Sequence, residues 1–302
     1  MRCEDCRSAY LNPRPTAQSI ELAYRSYYTH HASAPPPQVG WLRQGLAGDY
    51  RLARWGYSRG PRIPGGRLIP RVLPSRGGIV DRDIRHLQAV PEGRLLDVGC
   101  GSGAFLTQMA ALGWRTEGVD PDPAAVAAAR RTGVEARLGT LADLELNEEA
   151  FDAITLSHVI EHLHDPAEDL RRLHRLLRPG GQLWIGTPNL EALSFRRFGC
   201  HWRGLEPPRH LVLFRRASLE RILRRTGFEP LPPPAPSPRA WPMFSQSAAI
   251  AQGRRPEEGA AQGKWRVRLL AALADMIARR NPRYADELVV IARRPGRNEV
   301  QR

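Results

Sequence analysis

The sequence predicts an α/β fold built on a doubly wound, mostly parallel sheet. Three observations carry this prediction. An apolar segment at residues 95–98 runs directly into a glycine-rich turn, strand-like and helix-like segments alternate after Asp120, and a strongly apolar segment at residues 286–293 closes the pattern. Such alternation is typical of a sheet with helices on both faces.

The glycine turn is the most informative local feature. Leu95, Leu96 and Val98 suit a buried strand, and the glycines after them permit a tight turn and close approach of a ligand to the backbone. A helix with apolar positions at Phe105, Leu106, Met109 and Leu112 should follow, and a second strand, residues 115–119, should end at Asp120. Parallel neighbours bring their carboxyl ends to one crevice, so we expect Asp120 to bind a ribose diol there.

Later segments extend the sheet in the same way. Helices are predicted at residues 121–131, 166–177 and 218–228, and strands at residues 134–139, 151–157, 182–188 and 286–293. A strand near residues 228–231 would pair with the terminal strand as an antiparallel edge hairpin. Residues 81–93 are also predicted to be helical, with Ile84, Leu87 and Val90 on one side.

Several motifs occur in an order that resembles the class I S-adenosylmethionine-dependent methyltransferases. They are DVGCGSG, VDPD, FDAITLSHVIEHLHDP, LLRPGGQLWIGTPN and PPRHLVLF, and the resemblance covers roughly residues 91–292. It implies a seven-stranded Rossmann-like sheet with an antiparallel C-terminal edge strand, and S-adenosyl-L-methionine as the cofactor. The implied cofactor-binding residues are Asp97, Gly99, Cys100, Gly101, Gly103, Asp120, Pro121, Thr140, Leu141 and Ser157.

Each of these residues has an expected part in the pocket. An acid at Asp97 suits the ammonium group of the cofactor, and Ser157 suits its methionine part, although a capping role for Ser157 fits equally. Many relatives carry an aspartate where this chain has Thr140, a weaker partner for adenine, while Leu141 offers the adenine an apolar face.

The catalytic candidates are His158, Glu161, His162 and His210. Residues 158, 161 and 162 share one helical face, beside the expected position of the sulfonium. One hypothesis makes His162 or His158 a general base. A second hypothesis places these three residues and His210 in a divalent metal site. Some relatives use an ExxEH motif in this way, and its first glutamate is replaced here by His158. A third hypothesis gives these residues a structural role only.

Two segments precede the sheet. Residues 1–31 contain Cys3 and Cys6, which resemble half of a zinc ribbon. Tetrahedral zinc needs four ligands, and the second pair of cysteines is missing. Its absence would be explained by a misassigned start, by a metal shared between subunits or by a decayed ribbon. A helix over residues 19–31 is predicted to close over the cofactor. Residues 32–90, rich in Pro, Gly and Arg, are predicted to form a linker or cap with one or two short helices.

Two further segments interrupt the domain, which we place at residues 91–302. Residues 189–213 are predicted to form a substrate lid, with Arg203 and Arg209 either holding an anionic group or else stacking on Trp202 or pairing with Glu206. Residues 232–285 form an insertion, and its amphipathic helix at residues 263–280 is predicted to pack a Leu and Ile face on the sheet, with a membrane interface as the alternative.

Composition narrows the choice of partners. Lys and Arg number 45 against 31 Asp and Glu, a net charge of +14, yet Lys264 is the only lysine, as a GC-rich coding sequence would also produce. Nucleic acid is therefore a weak expectation, and a cytoplasmic location fits the four cysteines. We expect methyl transfer to a small molecule, a hydroxyl of a sugar or related metabolite; the alternatives are an RNA-directed methyltransferase and a noncatalytic cofactor-binding protein.

Overall fold

A seven-stranded sheet with the order β4-β3-β2-β5-β6-β9-β8 forms the centre of the molecule in a computed structural model. The structure describes residues 1–16, 18–23, 40–69, 74–144, 147–234 and 239–297. Strands β2 to β6 are parallel, and β9 pairs antiparallel with both β6 and β8. The predicted fold class and edge hairpin are confirmed. The strands of this sheet are β2 Arg94–Val98, β3 Arg115–Asp120, β4 Glu135–Leu138, β5 Phe151–Ser157, β6 Leu177–Pro188, β8 Glu229–Pro230 and β9 Glu287–Arg293.

Nine α-helices are described in these residue ranges. They are α1 Trp41–Trp55, α2 Pro74–Asp83, α3 Ala104–Ala111, α4 Pro123–Arg131, α5 Pro166–Leu176, α6 Leu193–Phe198, α7 Arg216–Arg225, α8 Ala240–Ala251 and α9 Lys264–Arg280. None of the helices in the described part of the chain has the length and apolar character needed to cross a membrane.

Helices cover both faces of the sheet because alternate strand residues point to opposite sides. Leu96 packs with Leu170 of α5 and Leu219 of α7 in one buried cluster. Its neighbour Leu95 packs with Leu106 of α3 in a second cluster on the other face. The sheet therefore lies between two layers of helices, and the carboxyl ends of its parallel strands form a rim that is open to ligands.

Local signals fix where two of these helices begin. Asp122 accepts a hydrogen bond from the Ala124 backbone amide and Pro123 occupies the first turn of α4. Asp165 caps α5 in the same way, with Pro166 following it. An N-cap acid and an early proline together leave few unsatisfied amides at a helix start.

A small second sheet ties the N-terminal segment to the end of the lid segment. Strand β1 (Ala9–Tyr10) pairs antiparallel with β7 (Val212–Leu213). Residues Ile20–Ala23 form a short 3-10 turn. Most of the helix predicted over residues 19–31 lies outside the described residues, so its position over the cofactor stays a prediction.

The helix predicted over residues 81–93 is wrong beyond Asp83. Arg85 and His86 have φ angles of 50° and 56°, which a right-handed helix does not allow. Ile84 and Leu87 are still buried, but 37% of Val90 is exposed. The chain leaves the helix here because Arg85 pairs with the buried Asp97.

Helical content outside the sheet is greater than predicted. Helix α1 has 15 residues, where a linker with short helices was expected. Helix α8 lies inside a segment that we predicted only as a Pro-rich insertion. Pro242 is tolerated there because it sits in the first turn, where its missing amide is not needed.

The predicted packing of α9 is also wrong. Its fully buried side chains are Ala271, Ala274 and Ala278, not the Leu and Ile face. Ala271 and Ala274 belong to the cluster that contains α8 and the lid rather than to the sheet, and Leu270 packs against that cluster partly buried. Small alanines let the two helices approach closely, so the larger side chains stay outside.

Candidate functional site

The glycine turn and Asp120 meet at the carboxyl ends of β2 and β3, as predicted. Asp120 Oδ2 accepts a hydrogen bond from the Gly101 amide at 2.8 Å, and Oδ1 accepts one from the Asp122 amide at 2.9 Å. Gly101 has a φ of 54° and open space where a Cβ would lie. The turn therefore presents backbone to a ligand, and an ionised carboxylate, which accepts up to about four hydrogen bonds, is fixed at its rim.

The other two glycines of the turn bring neighbouring elements close. A Cβ on Gly99 would lie 2.5 Å from Val159 Cγ2, so the turn touches the segment that follows β5. A Cβ on Gly103 would lie 2.9 Å from the Ala129 Cβ of α4. Gly99 therefore links the predicted cofactor pocket to the predicted catalytic segment.

Asp97 is buried beside a cation that the sequence did not reveal. The carboxylate accepts hydrogen bonds from Arg85 and, at 2.7 Å, from the Thr155 hydroxyl. The Arg85 guanidinium also stacks 3.6 Å from the centre of the Phe105 ring. The role of Asp97 toward an ammonium group stays a prediction.

The remaining predicted cofactor residues lie around the same rim. Thr140 caps the turn that contains the buried Leu141, and its hydroxyl donates to Asp143 at 2.7 Å. Pro121 follows β3, and Ser157 ends β5. Cys100 is buried, which raises the pKa of its thiol to about 12. The Cys100 thiol is therefore un-ionised near neutral pH, and it donates to the Gly101 carbonyl within the turn at 3.8 Å.

His158 lies between two carboxylates. Its Nδ1 is 3.4 Å from Glu161 Oε1 and its Nε2 is 3.5 Å from Glu287 Oε1. Burial opposes charging of the ring, but hydrogen bonds and attraction from Glu161 and Glu287 raise the pKa of His158 to about 10. Solvent screens part of this attraction because 49% of the side chain is exposed. The direction disfavours His158 as a base near neutral pH.

Three of the four predicted residues converge, namely Glu161, His162 and His210. The predicted common helical face is wrong for His158, which has a φ of 55° and precedes the 3-10 turn Ile160–His162. One potential ligand atom from each of the three converging residues lies within 4.8 Å of the others, and this is the one such group of three found among the described residues. The Nδ1 atoms donate to backbone carbonyls, His162 to Arg209 at 3.0 Å and His210 to Gly204 at 2.7 Å. In a neutral ring this leaves the lone pair on Nε2, the arrangement typical of metal-binding histidines.

Glu161 fits a cation-binding role. Thr187 donates to its Oε2 at 2.8 Å, whereas its buried Oε1 has His158 Nδ1 at 3.4 Å, a long ion-pair contact rather than a close hydrogen bond. Burial alone would raise the pKa of Glu161, but His158, His162 and His210 hold it below its ordinary value. A charged, incompletely satisfied carboxylate in the interior is a group that a divalent cation would stabilise.

A cavity of about 230 Å³ begins at His158 and runs between the sheet edge and helices α8 and α9. Its charged lining includes residues that sequence reasoning did not single out, Arg82, Arg216, Arg239, Asp286 and Glu287. Arg82 pairs with Glu287 at 2.9 Å, and Arg216 Nη2 donates to the Val289 carbonyl. These residues come from distant segments of the chain, so no local sequence motif predicts that they lie together.

Burial raises the pKa of Asp286 to about 7, opposed by a hydrogen bond from Ser194. Ser194 in turn accepts a hydrogen bond from Trp202 Nε1 at 2.7 Å. A cavity-lining carboxyl with this pKa is half ionised near neutral pH and is suited to accept a proton.

The predicted lid packs against α8 and α9. Trp202 and Phe198 of the lid share a buried cluster with Phe244 of α8. Arg203 and Arg209 both pair with Glu206, the latter at 2.8 Å. Of the two alternatives for these arginines, pairing with Glu206 is the one that the structure shows.

Cys3 and Cys6 lie at the start of the small sheet, and both are free thiols. Hydrogen bonds from the Cys6 and Asp5 backbone and from Cys6 lower the pKa of the Cys3 thiol. Zinc binding by this pair stays a prediction.

The fold and the glycine turn with Asp120 are those of a nucleoside-binding α/β protein, and a separate cavity begins at His158. The family model for a methyltransferase domain matches residues 74–232, slightly more than half of the chain. The ubiquinone biosynthesis O-methyltransferase of Xanthomonas oryzae pv. oryzae (strain PXO99A) is 34% identical over 149 residues, which cover 47% of this chain and 59% of that protein. The protein of the same name from Nitrobacter winogradskyi is 32% identical over 148 residues, 44% of this chain and 56% of that protein. The match thus spans less than two thirds of these curated relatives.

Solved structures share the fold. The cyclase SpnF aligns with a TM-score of 0.52 at 20% identity, covering 94% of this chain and 98% of that one. An S-adenosylmethionine-dependent methyltransferase from Mesorhizobium loti aligns with a TM-score of 0.50 at 20% identity, covering 70% and 96%. At these identities the likeness shows the architecture alone.

The chain belongs to the methyltransferase-domain family, among the class I S-adenosylmethionine-dependent methyltransferases. The cofactor is S-adenosylmethionine, and the residues present fit it. The cofactor would approach the backbone closely at Gly101, where no side chain intervenes, and Asp120 would bind its ribose.

Proposed function

We propose that the protein transfers a methyl group from S-adenosylmethionine to a hydroxyl of a small molecule. The observation that carries this proposal is the cavity that begins at His158, on the sheet edge where the glycine turn lies. Ligands of doubly wound sheets bind at this edge. The relatives named as O-methyltransferases support oxygen as the atom that is methylated.

The bound cofactor supplies an electrophilic methyl group on its sulfonium. The chain contributes position: the glycine turn and Asp120 hold one reactant, and the cavity holds the other. Such orientation supplies about 7 to 11 kcal/mol of the barrier reduction in well-aligned reactions.

The charged lining favours an acceptor that carries a carboxylate or phosphate. Arg82, Arg216 and Arg239 line the cavity, and the buried Arg216 Nη1 has only a long ion-pair contact of 3.6 Å with Glu220 Oε1 among the described residues. A guanidinium binds such anions through two parallel hydrogen bonds. A sugar or related metabolite with an anionic group fits these donors, and a ubiquinone precursor, suggested by the relatives' name, is the competing acceptor.

Asp286 is the proposed proton acceptor. It lines the cavity, and its pKa of about 7 matches the task of removing a hydroxyl proton near neutral pH. The predicted bases His158 and His162 remain alternatives; of these, only His158 lines the cavity, and its pKa is raised.

A metal-assisted route is the second candidate, and the buried Oε1 of Glu161, whose contact with His158 Nδ1 is as long as 3.4 Å, favours it. Glu161, His162 and His210 would hold a divalent cation, which would lower the pKa of an acceptor hydroxyl. The two routes differ in what abolishes turnover. The Asp286 route loses turnover with Asp286→Asn, and the metal route loses it with His162→Ala or with a chelator.

The test is methyl transfer from labelled S-adenosylmethionine to a panel of sugar nucleotides, ubiquinone precursors and RNA. The proposal expects label in a hydroxyl-bearing small molecule and none in RNA. Binding of S-adenosylhomocysteine, measured by calorimetry, separates loss of chemistry from loss of cofactor. Cofactor binding without transfer to any panel member would support a noncatalytic role, and labelled RNA would contradict the small-molecule proposal.

A further inference from the structure

Helix α9 carries a continuous apolar surface that no other described element covers. Its members, which we call the α9 stripe, are exposed to 66%, 54%, 41%, 45% and 41% for Trp265, Leu269, Leu273, Met276 and Ile277, respectively. At 3.6 residues per turn these five positions fall within an arc of about 120°. Single exposed apolar residues are ordinary, but a stripe along a whole helix marks a contact surface.

The same helix is strongly basic. It contains Lys264, Arg266, Arg268, Arg279 and Arg280, and its one acidic residue is Asp275. Asp275 is turned inward, where its Oδ1 accepts a hydrogen bond from the Ala240 amide. By the same geometry Arg268 and Arg279 lie beside the α9 stripe, and Arg266 and Arg280 lie within its arc at the two ends of the helix, with no acidic side chain of the helix among them.

We propose that α9 docks the protein on an anionic lipid bilayer, lying in the plane of the interface. An apolar face with a tryptophan, bordered by Lys and Arg, is the pattern of helices that bind membrane surfaces. The Trp265 ring suits the headgroup region, the aliphatic side chains enter the acyl boundary, and the cations meet lipid phosphates.

Charge argues against a second copy of the chain as the occupant. A twofold contact would place the same basic helix on both sides of the interface, so like charges would face one another. An anionic surface is attracted by the charges that would repel a second copy.

The experiment uses the full chain and vesicles of phosphatidylcholine with or without phosphatidylglycerol. In sedimentation assays the wild type should bind the anionic vesicles, and high salt should weaken this binding. The double variant Leu269→Ser, Leu273→Ser should bind at least about tenfold more weakly, because two apolar side chains no longer enter the bilayer. Leu138→Ser is the matched control, since Leu138 is exposed to the same 54% but lies on the edge strand β4.

Each outcome decides the proposal. Binding that is lost in the double variant and kept in the control supports it. Failure of the wild type to bind anionic vesicles overturns it, and so does equal binding by the double variant. Sedimentation velocity without lipid supplies the last result: a wild-type dimer that the double variant converts to monomer would mean that a second copy covers the α9 stripe.

Discussion

Replacing Asp120 by Asn should weaken cofactor binding without unfolding the protein. The carboxylate uses one oxygen for the Gly101 amide and the other for the Asp122 amide, at 2.8 Å and 2.9 Å. Asn has the same shape but one acceptor oxygen, so its amide group must face one of these two donors. Its neutral oxygen also accepts hydrogen bonds from ribose less strongly. Hydrogen bonds to charged groups contribute about 1.5 to 3 kcal/mol, so we expect a loss of about 2 to 3 kcal/mol, or about 30- to 150-fold in Kd.

The assay is titration calorimetry with S-adenosylhomocysteine, with circular dichroism to verify folding. Asp122→Asn is the matched control, because Asp122 lies two residues away and accepts from the Ala124 amide as the cap of α4. Asn caps a helix as well as Asp does, so the control should bind within about twofold of wild type. An Asp120→Asn protein that is folded and binds equally well would refute the assignment of the ribose site.

Three further predictions concern stability. Gly118→Ala should lower the free energy of unfolding in urea by about 1 to 3 kcal/mol, because the new Cβ would lie 2.6 Å from Cys100 Sγ. Asp286 has a folded pKa of about 7 against an ordinary 3.8, so the folded state binds its proton more tightly and the wild type loses stability as pH rises from about 4 to 7. The stability of Asp286→Asn relative to wild type should therefore increase by about 2 kcal/mol between pH 5 and pH 8, measured by urea unfolding at both pH values. Trp202→Phe removes the donor to Ser194 and should lower Tm by thermal melting, at a cost of about 1 to 2 kcal/mol.

The sheet was predictable because its strands are short apolar segments between strong turn signals. Gly99 and Asp120 follow two such strands directly, so parallel pairing alone brings them together. The same signals located Glu161 and His162 beside them. Local pattern and tertiary contact agree at these positions.

Prediction failed where tertiary contacts overrode the local pattern. The predicted helix ends before Arg85, and Arg85 pairs with Asp97. Sequence spacing does not encode this contact. Periodicity identified α9 as amphipathic but did not decide which face is buried. Asp286 escaped notice because its altered pKa arises from burial under the lid, and Ser194, its partner, lies 92 residues earlier.

Helix α9 contributes to both the cavity and the outer surface of the described molecule: Ala274 and Ala278 line the cavity, while Leu273 and Ile277 are exposed. A helix is about 10 Å thick and its side chains are closely packed, so a tilt or shift of α9 would move the residues that line the cavity. We therefore expect a molecule that binds the outer face of α9 to alter the width of the cavity. Outer substitutions that leave the fold intact should consequently change KM for the acceptor before they change KM for the cofactor, whose pocket lies across the sheet edge.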